Sequence, residues 1–434
     1  MAKKARAPGH DDQWYRRDTA ATVYFASRTR SWSNVYRNGF VLKEDVDPAL
    51  LQQAVNDVYP AAKYYFEHGA HGFFWDYLER DENTGIVVPE DNYPCRPVDI
   101  FDTTKPMMRI IYYKRRIAME CFHGICDGSA SILLIKTIVA RYLELTGVEI
   151  PDKSEFIDLA APAAPEELED AYQRHYVPMK GLTRKEASAW QIKAKKIPNY
   201  FRAVHGVTPV ADIKNLAAER GLTITDFLLA VMLYVMYRNA PKPHKKPIKI
   251  NVPANLRTVF GTPSRRNFSL FANIGFDPSK KADFSFDDIA EEIKGKLKQG
   301  VSTEELQKMV SLNVKTASAP FVRFLPNAVK HLIVKLGFRY SGQKKFSLCM
   351  TNIGIVKIPP GMAEHVDRVE SLLGGTPFKR LSGDIISDGN MMLITFTGDN
   401  KSVAIQRDFF RFLAGRGARV RIECNDWESW GGEG

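Results

Sequence analysis

A histidine, a cysteine and an aspartate stand together in the stretch HGICDG, which runs from His123 to Gly128. The ordinary pKa of an imidazole lets His123 take up and release a proton near neutral pH. Asp127, four residues further on, could hold that imidazole in one tautomer or brace the loop. Gly124 and Gly128 bracket the turn, which predicts unusual backbone angles or a close approach by another group. The residue types therefore indicate general acid–base chemistry on a loop.

The elements on either side of this loop follow from the apolar pattern. The run Ile117–Phe122 is short and mostly apolar, which is typical of a buried strand. After the loop, apolar residues recur at helical spacing, as Ile132, Leu133, Ile135, Ile138, Val139 and Leu143. Ser129 is the predicted N-cap of this helix. Reactive groups are commonly found on loops that a rigid scaffold holds in this way.

Two other interpretations of the loop are weaker. A metal site would need a distant pair of ligands at metal-ligand spacing, which the sequence lacks, so no metal is expected. A Cys126 nucleophile would need a group that lowers the pKa of its thiol, and only His123 is close in sequence. The serine-hydrolase elbow, the phosphate-binding loop, the dinucleotide fingerprint and the zinc-protease string are missing.

The string H-x-x-x-D-G, present as His123, Asp127 and Gly128, resembles the signature of the chloramphenicol acetyltransferase-like superfamily. That superfamily includes plant-type acyl-CoA-dependent acyltransferases, wax ester synthases and the condensation domains of peptide synthetases. The chain is most similar to its bacterial alcohol acetyltransferase-like members, through Trp14–Ala21 (WYRRDTAA) and Phe73–Glu79 (FFWDYLE). The likeness runs over most of the chain.

One departure from the superfamily pattern precedes the histidine. Many relatives carry two adjacent histidines, whereas this chain has Phe122 in the first position. The second histidine is the catalytic one in the superfamily, so His123 keeps that place. The segment Val252–Arg257 (VPANLR) also resembles the VPVNLR that follows a buried helix in these proteins.

The resemblance implies a fold. It is α/β (α+β), with two chloramphenicol acetyltransferase-like domains, each a mixed sheet flanked by helices, and a channel between them. The alternation of strand and helix patterns along the chain is consistent with an α/β class, but the strand pairing is implied by the resemblance alone.

The resemblance also implies roles for residues. His123 would be the general base, and Gly128 would support the loop. Asp127 would be structural and paired with an arginine, for which Arg257 is our candidate. An oxyanion donor would come from the other domain. Thr351 and Asn352 match that position loosely, and Ser347, on the same strand, could substitute.

The 434-residue length predicts two domains, because a single core stops growing near about 250–300 residues. A stretch from 147 to 198, first rich in proline and alanine and then acidic, indicates a linker. We therefore expect an N-terminal acyltransferase subdomain at 13–180 and a C-terminal one at 181–424. Residues 1–12 are predicted to be a disordered basic arm, and 425–434 a loose tail.

Composition bears on the compartment and the partners. The 5 cysteines are scattered without a C-x-x-C pair, which favours reduced thiols and a cytoplasmic location. The longest apolar run is far too short to span a bilayer, so no integral membrane association is expected. The net charge of +11 is dispersed, and no nucleic-acid motif accompanies it. It suits the phosphates of coenzyme A, an acidic carrier protein, or simply a solvated surface.

The stretch Phe321–Tyr340 mixes basic and apolar residues at helical spacing. It could lie on a membrane or line an acyl channel. Packing against its own domain is the favoured interpretation.

Three functions of different classes remain. The preferred one is an acyl-CoA-dependent O-acyltransferase, which moves an acetyl group from acetyl-CoA to a small-molecule alcohol or amine. It binds no permanent cofactor, and acyl-CoA is its co-substrate. The second function takes the acyl group from an acyl carrier protein, as in condensation. The third is a non-catalytic scaffold, which the intact His123, Asp127 and Gly128 disfavour.

Overall fold

The computed structural model describes residues 14–28, 34–82, 84–183, 186–197, 200–319, 324–338, 342–375 and 381–425. The predicted arm at 1–12 lies outside the described residues, and so does the predicted tail apart from Asn425. The strands are β1 Trp14–Tyr15, β2 Val35–Leu42, β3 Glu67–Ala70, β4 Tyr77–Arg80, β5 Val88–Pro89, β6 Met108–Tyr113, β7 Arg116–Phe122, β8 Arg202–Pro209, β9 Ile248–Asn255, β10 Ser269–Phe276, β11 Leu348–Ile355, β12 Val366–Leu373, β13 Ser382–Ser387, β14 Met391–Gly398 and β15 Arg421–Cys424.

Helices and short 3₁₀ turns connect these strands. The α-helices are α1 Ala21–Ser27, α2 Pro48–Ala62, α3 Gly128–Leu145, α4 Pro165–Leu168, α5 Ala171–Arg174, α6 Val210–Ala218, α7 Ile224–Asn239, α8 Arg257–Phe260, α9 Phe286–Ile293, α10 Lys296–Gly300, α11 Thr303–Ala317, α12 Asn327–Gly337, α13 Pro360–Ala363 and α14 Ala404–Ala414. The 3₁₀ turns are Lys63–Tyr65, Pro278–Lys280 and Gln343–Lys345.

The first large sheet has the strand order β12-β2-β7-β6-β5. Its pairs are antiparallel except for β5 with β6, so the sheet is mixed. Helices α2 and α3 pack together over it, and α3 carries apolar residues on nearly all sides because it is buried there. This packing fixes the position of the residues just before α3, which include the HGICDG loop.

The second large sheet has the strand order β10-β9-β11-β13-β14-β8-β15. Its β9, β11 and β13 run parallel to one another, and its remaining pairs are antiparallel. Helix α7 is buried between this sheet and the helices α9 and α14. A smaller sheet, β1-β4-β3, shares no strand with either. Two mixed sheets flanked by helices confirm the predicted α/β fold.

One strand crosses between the halves of the chain. Val366–Leu373 (β12) comes late in the sequence, yet it pairs antiparallel with β2 in the first sheet. Ser371, on β12, donates a hydrogen bond to Asp384 of the second sheet at 2.8 Å. The two sheets are therefore not built from two consecutive segments, and the boundary near residue 180 stays a prediction.

Across the described ranges, no helix combines the length and the apolarity that crossing a bilayer requires.

Candidate active site

The HGICDG loop joins the end of β7 to the start of α3, as the apolar pattern predicted. The backbone N–H of His123 donates to the carbonyl oxygen of Asn34 at 2.9 Å, which keeps the start of the loop beside the first sheet. The N–H of Ile125 donates to the carbonyl of Phe122 at 3.0 Å and closes the turn. The loop is therefore held by the backbone on both sides of the histidine.

The two glycines of the loop differ in the space that a side chain would have. A Cβ added at Gly124 would lie 2.2 Å from Cε1 of Phe122 and 2.8 Å from Cε2 of Phe25, so only glycine fits there. A Cβ added at Gly128 would come no nearer than 3.8 Å to Cδ1 of Ile353. The predicted close approach is thus found at Gly124 and is absent at Gly128.

The N-cap of α3 is Asp127, and the prediction of Ser129 was wrong. Oδ1 of Asp127 accepts the backbone N–H of Ala130 at 3.2 Å. Asp127 has an extended backbone just before the first helical residue, so its carboxylate can reach that amide, whereas Ser129 already lies inside the first turn. The hydroxyl of Ser129 instead accepts a hydrogen bond from the side-chain amide of Asn255 at 3.1 Å.

Asp127 also forms an ion pair with Arg257, as proposed from the sequence. Nη1 of Arg257 lies 3.0 Å from Oδ1 and 2.8 Å from Oδ2 of Asp127, and the amide of Phe268 donates to Oδ2 at 2.9 Å. Burial alone would raise the pKa of Asp127, but Arg257 and the backbone donors hold it below its ordinary value. The carboxylate is therefore ionised and fully engaged in bracing the loop.

Arg257 is itself held in place by the connection between β9 and β10. Its Nε donates to the carbonyl of Ser264 at 2.5 Å, and its Nη2 donates to the carbonyl of Arg266. Because this connection belongs to the second sheet and the loop to the first, the ion pair ties the two sheets together at the histidine.

The imidazole of His123 is oriented by Asn267, which lies in the same connection. Nδ1 of His123 is 3.0 Å from Oδ1 of Asn267. The other end of that amide is fixed, because Nδ2 of Asn267 donates to Oδ2 of Asp18 at 2.9 Å. The backbone N–H of Asn267 donates to the same oxygen at 3.1 Å, so that oxygen acts as an acceptor.

These contacts determine the tautomer of the histidine. The amide nitrogen of Asn267 must face Asp18, so the amide oxygen faces His123 and accepts the proton of Nδ1. Nε2 then carries a free lone pair. Burial and the nearby Asp170 raise the pKa of Asp18 to about 7, while its hydrogen bonds to Asn267 and Ala21 act in the opposite direction.

Two tyrosine rings flank the imidazole. The ring of Tyr24, on α1, stacks on His123 with centroids 4.2 Å apart and an interplanar angle of 17°. The ring of Tyr36, on β2, lies at 4.9 Å and is tilted by 58°. The ring of Tyr24 thus covers one face of the imidazole, and the ring of Tyr36 contacts it at an angle.

The surroundings favour the neutral form of His123. Burial lowers its pKa below the ordinary value, although Asp127, the backbone of His123 and Asn267 each act in the opposite direction. The imidazole is therefore uncharged at neutral pH, which is the state that a general base needs.

The two candidate oxyanion donors lie on β11 and have different surroundings. Nδ2 of Asn352 donates to the hydroxyl of Thr225 at 2.8 Å, and its Oδ1 accepts the N–H of Gly354 at 2.9 Å. Thr351 faces the opposite side, because successive residues of a strand alternate. Cys349 lies on the same side of the strand as Thr351. The pKa of Tyr24 is raised mainly by burial and next by Asp18 and Asp127, and Cys349 is close enough to add to that rise. The geometry therefore favours Thr351 over Asn352 as the candidate. The hydroxyl of Ser347 accepts the backbone N–H of Lys249 at 3.3 Å and is engaged within its own sheet.

Cys126 is enclosed in the core. Its side chain is 0% exposed, and its sulfur lies 3.9 Å from that of Cys121. Burial raises the pKa of the Cys126 thiol well above its ordinary value, and Cys121 adds to the rise. A thiolate nucleophile at this position is therefore disfavoured.

Reasoning from the sequence missed Asn267, Asp18 and the two tyrosines. Asp18 stands in the WYRRDTAA segment that carried the resemblance, and Asn267 opens a glycosylation-like triplet, Asn-Phe-Ser. Neither pattern indicates a contact with His123. The signal that could have found Asp18 is that it is the one acidic residue of this segment and one of the residues that match the family pattern.

Comparisons with known proteins show that the fold of this chain is similar to that of several solved structures. No protein-family model matches the sequence, and no curated protein matches it either. Among solved structures, TRI101 of F. sporotrichioides, complexed with coenzyme A and T-2, superposes with a TM-score of 0.61 at 10% identity, covering 94% of this chain and 100% of that one.

Two further solved structures have the same fold. Polyketide synthase associated protein 5 from Mycobacterium tuberculosis has a TM-score of 0.59 at 11% identity, covering 92% of this chain and 97% of its own. The starter condensation domain of rhizomide synthetase RzmA, a mutant in complex with C8-CoA and Leu-SNAC, has a TM-score of 0.55 at 13% identity, covering 94% and 96%. The chain therefore shares its fold with these three solved structures over nearly its whole length.

Proposed function

We propose that this protein is an acyltransferase in which His123 is the general base. The observation that carries the proposal is the orientation of the imidazole. Asn267 accepts the Nδ1 proton and is itself fixed by Asp18, so Nε2 keeps a free lone pair. A neutral, oriented imidazole in contact with two aromatic rings is suited to taking a proton from an attacking hydroxyl.

The donor in this proposal is an acyl-CoA, with acetyl-CoA as the simplest case. TRI101 was solved with coenzyme A, and the rhizomide starter condensation domain with C8-CoA. The net charge of +11 would suit the phosphates of such a donor. The acceptor is the hydroxyl of a small molecule, as in alcohol acetyltransferases, and the channel between the two halves would lead both substrates to His123.

The proposed reaction balances without a cofactor. Nε2 of His123 takes the hydroxyl proton as the acceptor oxygen attacks the thioester carbonyl. A new C–O bond forms, and the carbonyl oxygen becomes an oxyanion that the hydroxyl of Thr351 is proposed to meet. The C–S bond then breaks, and the leaving thiolate takes the proton back from the imidazolium.

Asp127 and Arg257 have a supporting part in this mechanism. Their ion pair holds the loop that carries His123 against the connection that carries Asn267. Both partners of the hydrogen bond between His123 and Asn267 are thereby held in register, which favours a reactive geometry. Gly128 begins the helix that follows and belongs to the same support.

A second candidate takes the acyl group from phosphopantetheine on an acyl carrier protein. The likeness to condensation domains supports it, since the starter condensation domain covers nearly the whole chain. Phe122, in place of the first of two histidines, weighs against a peptide-forming condensation domain.

The test is thiol release from acetyl-CoA with a panel of alcohols and amines. We expect release that depends on an alcohol acceptor and gives an acetylated product by mass spectrometry. Transfer from an acylated carrier protein, with none from acetyl-CoA, would favour the second candidate. An absence of transfer from both donors would contradict the proposal.

A further inference from the structure

Helix α12 (Asn327–Gly337) turns its polar side toward the protein. Its first residue, Asn327, donates its backbone N–H to the carbonyl of Phe73 at 2.9 Å. Nζ of Lys330 donates to the carbonyl of Phe74 at 2.8 Å and lies 3.3 Å from the ring centroid of Trp75. Lys330 is only 5% exposed, which is unusual for a lysine.

The same side of the helix carries a second polar anchor. Nε2 of His331 lies 2.9 Å from Oδ2 of the buried Asp76, and the side-chain amide of Asn327 donates to Oδ1 of that carboxylate. Burial would raise the pKa of Asp76, but His331, Arg17 and their neighbours lower it to about 2. The helix is therefore attached to the 73–76 segment by charged and polar groups.

The opposite side of α12 is apolar and faces solvent. Val329, Leu332, Ile333 and Leu336, here called the apolar stripe, follow the spacing of one helix face. They are 41%, 58%, 52% and 46% exposed. A helix of a globular protein normally buries such a face and exposes its charged one, and α12 does the reverse.

Two phenylalanines extend this surface at the start of the helix. Phe324, three residues before Asn327, is 77% exposed, and Phe73, whose carbonyl accepts the Asn327 amide, is 74% exposed. Exposed large apolar side chains that gather in one area mark an interaction surface, whereas scattered ones do not.

The sequence around α12 contains basic residues and no acidic ones. From Leu306 to Ala363 the chain has no aspartate or glutamate. Its lysines and arginines are Lys308, Lys315, Arg323, Lys330, Lys335, Arg339, Lys344, Lys345 and Lys357. Lys335 lies within α12 itself and is exposed. An apolar helix face within a stretch that carries only positive charge is typical of segments that lie on anionic membranes.

We propose that the apolar stripe of α12 docks this protein onto the surface of an anionic lipid bilayer. The stripe, with Phe73 and Phe324, would enter the boundary between head groups and acyl chains, and exposed cations of the stretch such as Lys335 would contact the head groups, whereas the buried Lys330 would not. A second copy of the chain is a poorer occupant. A two-fold contact through the stripe would bring the same cationic stretch of each copy together.

The test is flotation of the full chain with vesicles of equal parts phosphatidylglycerol and phosphatidylcholine, compared with vesicles of phosphatidylcholine alone. We expect the wild type to float with the anionic vesicles and to be released by salt. The variant Leu332→Ser/Ile333→Ser should lose about tenfold or more in partitioning, because it removes two exposed apolar anchors. Both residues are exposed, so the melting temperature should not change.

The matched control is Ile86→Ser/Ile422→Ser, which removes two isoleucines that are 81% and 49% exposed outside the stripe. It should float as the wild type does. Equal flotation of the wild type and the stripe variant would overturn the proposal, and so would no flotation of the wild type. A dimer in sedimentation velocity that the stripe variant dissolves, without vesicle binding, would assign the stripe to a second copy and also overturn it.

Discussion

Replacing Asn267 by alanine removes the acceptor for the Nδ1 proton of His123 and leaves the histidine itself unchanged. The amide lies 3.0 Å from Nδ1 and is fixed by a 2.9 Å hydrogen bond to Asp18. The backbone N–H of residue 267 would still donate to Asp18, so the connection should keep its path. We therefore expect a folded variant with a less well oriented base.

The magnitude follows from the lost hydrogen bond. A buried donor that loses its partner costs about 1–3 kcal/mol. This bond becomes charge-assisted as His123 takes up the proton, so the cost falls on the transition state. Because about 1.4 kcal/mol corresponds to a factor of ten, kcat should fall roughly 5-fold to 150-fold. KM should change little, since Asn267 contacts the histidine and is not proposed to touch a substrate.

The assay is the pH dependence of kcat/KM for acetyl transfer. Wild-type activity should fall on the acid side, as the neutral His123 becomes protonated below its lowered pKa. Asn267 raises that pKa, so its removal should move the acid limb to lower pH even as the plateau falls. If the activity fell only because the fold of the variant were less stable, the acid limb of the pH profile would stay at the wild-type pH.

Asn273→Ala is the matched control. Asn273 lies on β10, accepts a hydrogen bond from Asn251 at 2.9 Å and donates one to Glu186 at 2.8 Å. Its loss should change stability slightly and leave the pH profile in place. If Asn267→Ala kept kcat within about twofold of the wild type, with an unmoved acid limb, the assigned role of Asn267 would be refuted.

Two other substitutions test the remaining parts of the site. Arg257→Ala should lower the melting temperature and kcat together, because it leaves Asp127 buried without its partner, at a cost of roughly 3–5 kcal/mol. Because the pKa of Asp127 is lowered in the folded protein, its ionised carboxylate stabilises the fold above the ordinary pKa of an aspartate, and this contribution is lost in acid. The difference in melting temperature between the wild type and Arg257→Ala should therefore shrink below about pH 4. A variant with wild-type stability and activity would remove Arg257 from the site. Thr351→Val should keep the fold and lower kcat about tenfold to a thousandfold if its hydroxyl meets the oxyanion, whereas Asn352→Ala should lower it less. If the thiol-release assay showed a larger loss for Asn352→Ala than for Thr351→Val, the role of oxyanion donor would be assigned to Asn352.

The pairing of Asp127 with Arg257 could be predicted because both residues lie in segments with a family resemblance. The strand before the loop and the helix after it follow from local periodicity, which needs no knowledge of the rest of the chain. The N-cap was missed because Asp127 and Ser129 are both favourable capping residues, and only the backbone angle at Asp127 decides between them.

The contact between His123 and Asn267 could not be predicted. The two residues are 144 positions apart, and they meet only because the connection after β9 reaches across from the second sheet. The pairing of β12 with β2 has the same cause, since hydrogen-bond partners in a sheet depend on tertiary topology and leave no local pattern. The outward apolar face of α12 could also not be predicted, because periodicity identifies a stripe without telling which side packs.

The most direct test of the central claim compares His123→Ala with His205→Ala in acceptor-dependent transfer from acetyl-CoA. His205 is another partly buried histidine, with Nδ1 bonded to Thr395 at 3.0 Å on the second sheet. The proposed role of His123 predicts that His123→Ala folds normally and loses nearly all transfer, while His205→Ala keeps it. Turnover by His123→Ala equal to that of the wild type would contradict the assignment of His123 as the base.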